Sequence, residues 1–494
     1  MAAKTGSRGE TGKQDPIFAR YKPLAATYDE YFAEAGKVRP QASTVVQHLE
    51  NLGRDEIRSR MRLAHASFLE GGITFSVYSD ARGGERVFPF DPLPRVIDPN
   101  EWRHLDRGLK QRVEALNIFL GDIYSKQKIL KDKKIPSAIV LGSPVYRREV
   151  QGIRPRNGNY IYIAGIDLVR DQQGVYRVLE DNVRVPSGVS YVLENRIVMK
   201  KTFPRLFDRH NVVPVEEYPN RLRRAVTSAI PGRGTNLVVL TPGVFNSAYF
   251  EHSFLARRMG CDLVEGRDLT VIRKRVYAKT TRGLQPVDSI YRRMDDDFLD
   301  PQVFRKDSML GVPGLVEAYA KGNVVLANGI GNGVADDKAI YPFVPDIIRY
   351  YLGEEPILEQ VPTYICERKA DRAYTVANID KLVVKAVNEA GGYGMLVGPK
   401  ASRKECAEFV KKVNANPRNY IAQPLVELSA SPTWTPRGPA PRRLDLRPFV
   451  LRGNDTWVLP GGLTRVALVR GSYVVNSSQG GGSKDTWVLE SKKS

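Results

Sequence analysis

The sequence has 494 residues, and its 75 Lys and Arg against 55 Asp and Glu give a formal net charge of +20 at pH 7. Hydrophobic residues make up 42% and charged residues 26%, so the chain can bury a large core and is not disordered overall. No stretch approaches 18 consecutive apolar residues, which excludes a transmembrane helix, and three isolated cysteines exclude a disulfide framework and a cysteine-based zinc site.

The first residues, 1–18, are polar and predict a flexible tail. They lack the apolar stretch of a signal peptide, so we expect a cytoplasmic protein that does not enter the membrane. The excess positive charge fits nucleic acid, anionic lipid, a small anionic substrate or a solvated surface. The basic runs 221–224 and 273–275 lack interleaved aromatic residues, which disfavours a nucleic-acid groove.

Residues 19–140 predict a mainly helical lead-in. The pattern is helical over 28–69, with breaks near Pro40 and Gly53, and again after Asp98, which can cap a helix that begins at Pro99. The apolar face of this second helix repeats at helical spacing and predicts core residues.

Residues 141–230 predict a β-hairpin followed by a helix. The β-rich run 160–163 leads to Asp167, a turn covers 171–174, and the strand 175–179 ends at Glu180-Asp181-Asn182. A Pro-Ser-Gly turn then introduces a helix that starts near Val189.

Residues 235–335 predict a small α/β domain. Short apolar strands at 237–240, 263–264, 289–291 and 324–327 surround a helix at 247–259 that Gly260 closes. The strand–helix–strand order indicates a parallel sheet.

Residues 336–490 predict a helix at 347–352, strands at 381–387, 395–397 and 420–422, and a helix at 402–413. A proline-rich loop is expected at 429–441, then strands at 444–451, 456–459, 464–468 and 473–475. The end of the chain, 477–494, is glycine-rich and then basic.

A strand lysine followed by a glycine-rich loop is the strongest local signal. Lys385 stands near the end of an apolar strand, and Gly391-Gly392-Tyr393-Gly394 connects it to the next strand. Glycines let backbone N–H groups approach phosphate oxygens, and a lysine adds a point charge for the same anion. The alternative is a hairpin with a flexible turn.

Asp167 and the end of the following strand form a second candidate site. Glu180 and Asn182 lie two residues apart on a strand and therefore point to one face. Carboxylate and amide oxygens suit Mg²⁺ that bridges nucleotide phosphates. The alternative is a solvated strand end.

Two further signals concern anions. The turn Pro186-Ser187-Gly188 at a helix start can seat an anion beside Arg184, or it can be an ordinary helix cap. Asp445 and Arg447 alternate with apolar neighbours on a strand, where an inward arginine suits transition-state charge and an outward one a solvated edge.

Together these parts resemble an ATP-grasp ligase in a rotated order. In ordinary ATP-grasp enzymes the lysines and the loop precede the metal-binding E-x-N pair, whereas here Glu180 and Asn182 precede Lys385 by about two hundred residues. The chain is therefore similar to the circularly permuted ATP-grasp type 2 proteins of bacteria, and more distantly to glutathionylspermidine synthetases. The runs that carry the likeness are VLEDNVRVPSGVSYVLENR, GNGVADDKAIYPFVPDIIRYYL, AGGYGMLVGPK, LPGGLTRVAL and NSSQGGGSKDTWVL.

The resemblance implies an α/β (α+β) fold. This would be a circularly permuted ATP-grasp module with a helical N-terminal lead-in and an inserted small α/β domain of the pre-ATP-grasp type. The first part of the module would occupy 141–230, with the metal-binding strands. The second part would occupy 336–490, with the ATP lysines, the glycine loop, the hinge and the arginine strand.

The resemblance also implies roles for individual residues. Ala386 departs from the pattern, since the usual loop has proline after the lysine. The implied roles are ATP binding by Lys338, Lys385, Gly391, Gly392, Tyr393 and Gly394; an adenine hinge at Gln423, Pro424, Leu425 and Val426; ribose binding by Glu427; Mg²⁺ ligation by Asp167, Glu180 and Asn182; phosphoryl-transfer catalysis by Arg447 with Lys385; and substrate binding by Arg184, Ser187 and Gly188.

The implied activity is an ATP-dependent carboxylate–amine ligase that forms a peptide-like amide through an acyl phosphate, with Mg²⁺ and ATP as cofactors. Small molecules or peptides would supply the acid and the amine. Arg292 and Arg293, at a strand end of the small domain, could select an acidic substrate. The alternatives are a nucleotide-binding scaffold without turnover that serves a partner enzyme, and a basic nucleic-acid-binding protein.

Overall fold

A computed structural model describes residues 16–76, 85–230, 235–387, 394–476 and 480–490. Its α-helices are α1 (Ser43–Glu70), α2 (Pro99–Ile123), α3 (Lys128–Lys131), α4 (Ser137–Leu141), α5 (Val189–Thr202), α6 (Pro204–Asp208), α7 (Tyr218–Thr227), α8 (Tyr249–Met259), α9 (Leu315–Ala320), α10 (Val344–Leu352), α11 (Lys369–Ala377) and α12 (Arg403–Ala415). Its strands are β1 (Phe32–Glu34), β2 (Lys37–Val38), β3 (Thr74–Ser76), β4 (Glu85–Val87), β5 (Phe90–Ile97), β6 (Ile163–Arg170), β7 (Tyr176–Asn182), β8 (Leu237–Leu240), β9 (Asp262–Val264), β10 (Leu269–Ile272), β11 (Arg275–Thr280), β12 (Gly283–Val287), β13 (Ser289–Arg292), β14 (Val325–Ala327), β15 (Glu359–Gln360), β16 (Tyr364–Ile365), β17 (Leu382–Ala386), β18 (Met395–Val397), β19 (Tyr420–Pro424), β20 (Ala430–Thr435), β21 (Gly438–Arg447), β22 (Phe449–Arg452), β23 (Thr456–Val458), β24 (Leu463–Val466) and β25 (Gly482–Val488). Within these residues no helix is long and apolar enough to cross a membrane.

A large sheet in the order β15-β7-β6-β21-β24-β25-β5 joins distant parts of the chain, with β20 paired to β21 and β22 to β6. The predicted hairpin is confirmed: β6 and β7 are antiparallel, and Asp167 lies opposite Glu180. Strand β21 runs antiparallel to β24, so Arg447 and Arg465 reach the same region of the sheet. Acidic and basic side chains from opposite ends of the sequence therefore meet on adjacent strands.

The predicted small α/β domain has a parallel sheet in the order β14-β13-β8-β9. Helix α8 connects β8 to β9 and ends at Gly260, whose φ of +63° suits glycine. The antiparallel strands β10, β11 and β12 form a separate three-stranded sheet that the sequence did not indicate. Because the strands of a parallel sheet share a carboxyl edge, the loops after β8 and β13 lie side by side.

A third sheet, β16-β19-β17-β18, is antiparallel and carries Lys385 on β17. Helix α12 begins one residue after its cap, Ser402, which accepts from the Glu405 N–H while the Glu405 carboxylate accepts from the Ser402 N–H. Leu382 and Val384 belong to a small buried apolar cluster that stabilises this sheet. This sheet, with an apolar core of its own, fixes the position of Lys385.

The N-terminal region differs from the predicted helical lead-in. The α2 stripe is buried as expected, with Leu105, Leu109 and Leu116 fully inaccessible. The first long helix, however, begins at Ser43 and not near residue 28, and residues 90–97 form strand β5 of the large sheet. Two prolines in this strand weaken its β-strand sequence pattern. The fold tolerates them because β5 lies at the edge of the sheet.

The prediction of a proline-rich loop at 429–441 was also wrong. Proline-rich residues 430–435 form β20, and Gly438 begins β21. Residues 482–488 form β25, a wholly buried strand that lies between β24 and β5. Glycine-rich and polar composition concealed both, because pairing with residues far away in the sequence stabilises these strands.

Candidate active-site cleft

A cleft of about 560 Å³ lies where the large sheet meets the carboxyl edge of the small α/β domain. It brings together seven of the predicted site residues from four segments of the chain. They are Glu180, Asn182, Arg184, Ser187, Arg293, Lys338 and Arg447. Polar and charged side chains converge on one concave surface here, which is the usual arrangement of a ligand site.

Asp167 lies at the centre of a charged cluster beside this cleft. The guanidinium of Arg447 donates to both Asp167 oxygens, at 2.5 and 2.8 Å, and Arg465 donates to Asp167 Oδ2 at 2.7 Å. Arg465 also pairs with Asp445 on the neighbouring strand. Burial opposes the charge on Asp167, but Arg447 and Arg465 outweigh it and hold its pKa well below the usual range.

The effect on Asp445 is opposite. Burial raises the pKa of Asp445 above its usual range, although Arg465 acts against the shift. Asp445 is buried beneath the cleft and accepts from Arg465. This ion pair positions Arg465, which also donates to Asp167. Two carboxylates, of Asp167 and Asp445, are therefore balanced by two guanidinium groups, of Arg447 and Arg465.

Glu180 and Asn182 face the cleft as predicted, because Asp181 between them points to the opposite face. There Asp181 makes a buried bidentate ion pair with Arg112 of α2, at 2.7 Å for both contacts. Asn182 Nδ2 donates to Glu180 Oε1 at 3.4 Å. The hairpin thus presents an amide and a carboxylate to the cavity.

Three cations surround Glu180. Lys338 Nζ lies 3.7 Å from Glu180 Oε2, and Arg447 Nη2 lies 3.9 Å from Oε1. Glu180 also acts electrostatically on Lys385 of β17, as does Lys338. The two predicted ATP lysines and the predicted phosphate arginine therefore converge on one carboxylate, where a polyanion would find three positive charges.

Lys385 is the residue of the third sheet that faces this cluster. Its ammonium donates to Gln423 Oε1 at 2.7 Å, and Gln423 Nε2 donates to the Thr363 hydroxyl. Burial lowers the pKa of Lys385 to about 8, and the charge of Lys338 adds to the shift. An anion at this position would restore the full charge of Lys385.

The predicted hinge, Gln423 to Val426, begins with the last two residues of β19. Pro424, Leu425 and Val426 lead from the third sheet to the large sheet. Glu427, the candidate ribose acid, accepts hydrogen bonds from Arg443 and Tyr473. Of the predicted glycine loop, residues 391–393 lie outside the described part of the chain, whereas Gly394, at φ +62°, stands just before β18.

The turn before α5 is held by the small domain. Arg293 donates to the Pro186 carbonyl at 2.8 Å and to Ser187 Oγ at 2.6 Å. Glu251 Oε2 accepts from the Gly188 N–H at 2.8 Å, and its other oxygen pairs with Arg293. Gly188 has a φ of +115°, which favours glycine. The turn is therefore a rigid part of the cleft wall.

The two arginines expected to select a substrate have different positions. Arg293 lines the cleft. Arg292 does not: its guanidinium is buried and donates to the carbonyls of Asn328, Met294 and Gly329 and pairs with Asp296. Strand alternation explains the difference, since neighbouring side chains point to opposite faces. Arg292 therefore holds a loop together and gains no access to the cleft.

Arg184 also has a local partner. Its Nε donates to Asp336 at 2.8 Å, and both side chains line the cleft. Sequence reasoning missed Asp336, and it missed Glu251, His252 and Arg465. The alternation in Thr464-Arg465 was the available signal for Arg465, whereas His252 and Glu251 lie within α8, where nothing in the pattern distinguishes them.

The predicted metal ligands fit a magnesium ion in part. Glu180 and Asn182 offer oxygens to the cleft, but both oxygens of Asp167 accept hydrogen bonds from guanidinium groups. Across the described ranges, no three His, Cys, Asp or Glu side chains lie close enough together to hold a metal ion. The arrangement therefore supports two ligands from the hairpin, not three.

The fold and the convergent lysines define a protein of the ATP-grasp class. The family model for the circularly permuted ATP-grasp type 2 proteins matches residues 94–467. The chain belongs to this family. The β6–β7 hairpin precedes the sheet that bears Lys385, in agreement with the permuted order, and family membership supports an ATP-dependent, amide-forming ligase.

Curated relatives match over nearly the whole chain. An uncharacterized protein of Synechocystis is 54% identical over 94% of this chain and 97% of its own length. An uncharacterized protein of Mycobacterium tuberculosis is 50% identical over 98% of this chain and 89% of its own. A Frankia casuarinae protein provisionally named as a glutamate–cysteine ligase is 40% identical over 99% of this chain, which spans only 57% of that protein.

Among solved structures, a glutathione synthetase-like effector from Globodera pallida is similar, with a TM-score of 0.58 and 10% identity. The similarity covers 89% of this chain and 99% of the effector. At that identity the likeness supports the fold alone.

Proposed function

We propose that the protein is an ATP-dependent carboxylate–amine ligase that forms an amide through an acyl phosphate. The observation that carries this proposal is the continuity of the cleft. One end has Lys338, Arg447 and Glu180, with Lys385 behind them, and the other has Arg293 and the rigid turn. A nucleotide phosphate and an organic carboxylate can therefore lie end to end.

The reaction would proceed in two balanced steps. A carboxylate oxygen attacks the γ-phosphorus of ATP, the bond to the bridging oxygen of ADP breaks, and an acyl phosphate forms. An amine nitrogen then attacks the acyl carbon, the C–O bond to phosphate breaks, and the amine proton is lost to solvent or phosphate. Positioning and charge neutralisation dominate such transfers, and Lys338, Lys385 and Arg447 supply the charge.

Mg²⁺ would be held by Glu180 and Asn182, whose oxygens face the phosphate end of the cleft. The ion supplies neutralisation of the phosphate charge when it is bound. Asp167 would instead orient Arg447, because its oxygens are committed to that side chain and to Arg465.

The direct test is to follow the products of ATP in the presence of acid and amine. We expect ADP and phosphate, and ¹⁸O from a labelled carboxylate should appear in the phosphate because that oxygen forms the new P–O bond. Lys385→Ala should abolish turnover, whereas Lys381→Ala, an exposed lysine four residues earlier, should not. AMP and pyrophosphate as products would contradict the acyl-phosphate route.

The acid and the amine can be searched in two ways. L-Glutamate and L-cysteine are the first pair to try, since a Frankia relative is provisionally named for them. The name belongs to a protein of which this chain spans 57%, so it gives a starting point only. The wider search is mass spectrometry of a cell extract incubated with enzyme and ATP, in which a new amide should appear only when ATP is present.

A nucleotide-binding scaffold without turnover is the second candidate. The commitment of Asp167 to two arginines favours it, because a predicted metal ligand is occupied. Under this alternative the protein binds ATP but releases no ADP with any acid and amine in the extract. Turnover that Lys385→Ala removes would exclude it.

A further inference from the structure

His252 of α8 is a cleft residue that the proposed mechanism does not yet use. It lines the cleft together with Arg293 and Ser187, although only 1% of its surface is exposed. In a buried imidazole at a cavity wall, one ring nitrogen can be hydrogen-bonded to the protein while the other faces the cavity. The hydrogen bonds around it show which nitrogen is which.

The nitrogen bonded to the protein is Nδ1. It lies 2.9 Å from the hydroxyl of Thr241, at the carboxyl end of β8. Thr241 Oγ1 also accepts from the backbone N–H of Gly243 at 3.1 Å. Among the described residues the Thr241 hydroxyl has no other acceptor for its hydrogen, so we assign Nδ1 as the acceptor. The proton of the neutral ring is then on Nε2.

Among the described residues, Nε2 of His252 has no hydrogen-bond partner. It is not one of the unpaired polar atoms that are fully buried, so part of its surface is accessible. Since the ring lines the cavity, this N–H opens on the cleft. Buried donors in proteins are usually paired, so an unpaired donor that opens on a cavity is available to an oxygen of a ligand.

The surroundings keep this ring neutral. Arg293, directly after β13, acts on the ring electrostatically, and Thr241, directly after β8, is hydrogen-bonded to it. Tyr249 of the same helix packs edge-on at 6.5 Å between ring centroids. The neighbouring Glu251 is committed to Arg293 and the Gly188 turn. Burial, followed by the charge of Arg293, lowers the pKa of His252 well below its usual value. A neutral imidazole can donate a hydrogen bond through its N–H and keep that proton.

We propose that His252 is a catalytic hydrogen-bond donor whose Nε2–H binds an oxygen of the carboxylate substrate and then the oxyanion of the tetrahedral intermediate. The inference rests on the proposed ligase function and adds the residue that contacts the acyl group. Arg293 supplies positive charge in the same part of the cleft, and the turn that contains Ser187 lines it. His252 keeps its proton throughout, so the proton lost by the amine goes elsewhere. Donors aimed at a developing oxyanion typically contribute about 10²- to 10³-fold to the rate.

The first test is the state of the ring, which needs no substrate. The chain has five histidines, so ¹⁵N-histidine labelling with long-range ¹H–¹⁵N correlation resolves each ring, and the His252→Gln spectrum assigns the signal. We expect the neutral Nε2–H tautomer, unchanged from pH 6 to pH 8. Thr241→Val should convert part of the population to the other tautomer. A ring protonated on Nδ1, or one that titrates within this range, overturns the proposal.

The second test separates a donor from a base. L-Glutamate serves as the acid, with either L-cysteine or hydroxylamine as the acceptor, because hydroxylamine is already neutral and needs no base. A donor to the acyl oxygen assists both, so His252→Leu should lower kcat with either acceptor by about 10²-fold and leave ATP affinity unchanged. His252→Gln, which retains an N–H near the Nε2 position, should recover part of the rate. The control is His104→Gln, an exposed histidine of α2.

The outcomes distinguish the two proposals. Loss of the cysteine reaction alone, with hydroxamate formation spared, would assign His252 as a base and overturn the donor role. Unchanged rates with both acceptors in His252→Leu would overturn it as well. If the wild-type protein forms neither product from glutamate and no amide in the extract assay, the ligase proposal fails, and the tautomer measurement still decides the state of His252.

Discussion

Arg447 of β21 donates from Nε and Nη2 to the two carboxylate oxygens of Asp167 on the adjacent strand β6. The resemblance to ATP-grasp enzymes gave these two residues separate tasks, one on the metal and one on the phosphate. The structure joins them in one buried ion pair, which Arg465 extends. Asp167 therefore acts as the residue that orients Arg447 toward the cleft.

The first prediction compares Asp167→Asn with Glu180→Gln. Asp167 is buried between two guanidinium groups, so its neutralisation leaves uncompensated charge and should lower the free energy of unfolding at pH 7 by about 3–5 kcal/mol. Glu180 is partly exposed, and its variant should change stability by less than about 1 kcal/mol. Urea unfolding measures both, and both variants should lose turnover.

The pH dependence of this difference has a definite sign. The folded-state pKa of Asp167 lies below its usual value, so its contribution to stability is complete at neutral pH and is lost as the pH falls below the ordinary aspartate range. The gap between wild type and Asp167→Asn should therefore narrow on acidification. A gap that widens, or a Glu180→Gln variant that is the less stable of the two, would contradict the assignment of Asp167 as an orienting residue.

The second prediction concerns Lys385 and nucleotide affinity. Because burial lowers its pKa to about 8, Lys385 of the free protein loses its proton as the pH rises through that value. The affinity for ATP should then fall, by up to about tenfold per pH unit above the transition, since one proton must be taken up on binding. Isothermal titration calorimetry between pH 7 and pH 10 measures this.

Lys385→Arg is the matched control, because a guanidinium stays protonated throughout this range. Its affinity should be weaker near pH 7, since the planar group fits a lysine site poorly, but it should not decline around pH 8. A wild-type affinity that is flat from pH 7 to pH 10 would show that Lys385 does not contact the phosphates.

The third prediction separates Arg292 from Arg293. Arg292→Met leaves three backbone carbonyls and Asp296 without their donor and should lower the free energy of unfolding by about 2–4 kcal/mol, with KM and kcat of the folded protein unchanged at low temperature. Arg293→Met should raise KM for the acid. Thermal unfolding and steady-state kinetics measured on both variants check this, and a KM effect confined to Arg292→Met would contradict it.

The sequence predicts local structure here better than it predicts long-range structure. The β6–β7 hairpin, the face shared by Glu180 and Asn182, and the strand that bears Lys385 follow from short-range periodicity, and the structure has all three. The family resemblance is confirmed by the family model. The assignment of roles to these residues stays a prediction.

What the sequence could not predict depends on contacts between distant segments. Strand β5 pairs in parallel with β25, almost four hundred residues later, so neither has a local signal strong enough to overcome its prolines or glycines. The commitment of Asp167 to Arg447 and Arg465 depends on three strands from different parts of the chain. His252 lies within α8, whose sequence pattern indicates only packing against the core. The cleft that it lines forms between α8 and the Pro186–Gly188 turn, which are distant in the sequence.

The last prediction concerns Glu251, which connects the two walls of the cleft. Its carboxylate accepts from the N–H groups of Gly188 and Ser190 with one oxygen and from Arg293 with the other. In Glu251→Gln one of these partners must face an NH₂ group, so the turn should loosen and the free energy of unfolding should fall by about 2–4 kcal/mol. KM for the acid should rise several-fold while ATP affinity stays constant, because the described contacts of Glu251 are with the turn and Arg293 and not with the sheet that bears Lys385. The exposed Glu317→Gln, whose ion pair with Lys274 lies at the surface, is the control for loss of one carboxylate. Weakened ATP binding in Glu251→Gln, with an unchanged KM for the acid, would place the turn at the nucleotide and not at the carboxylate.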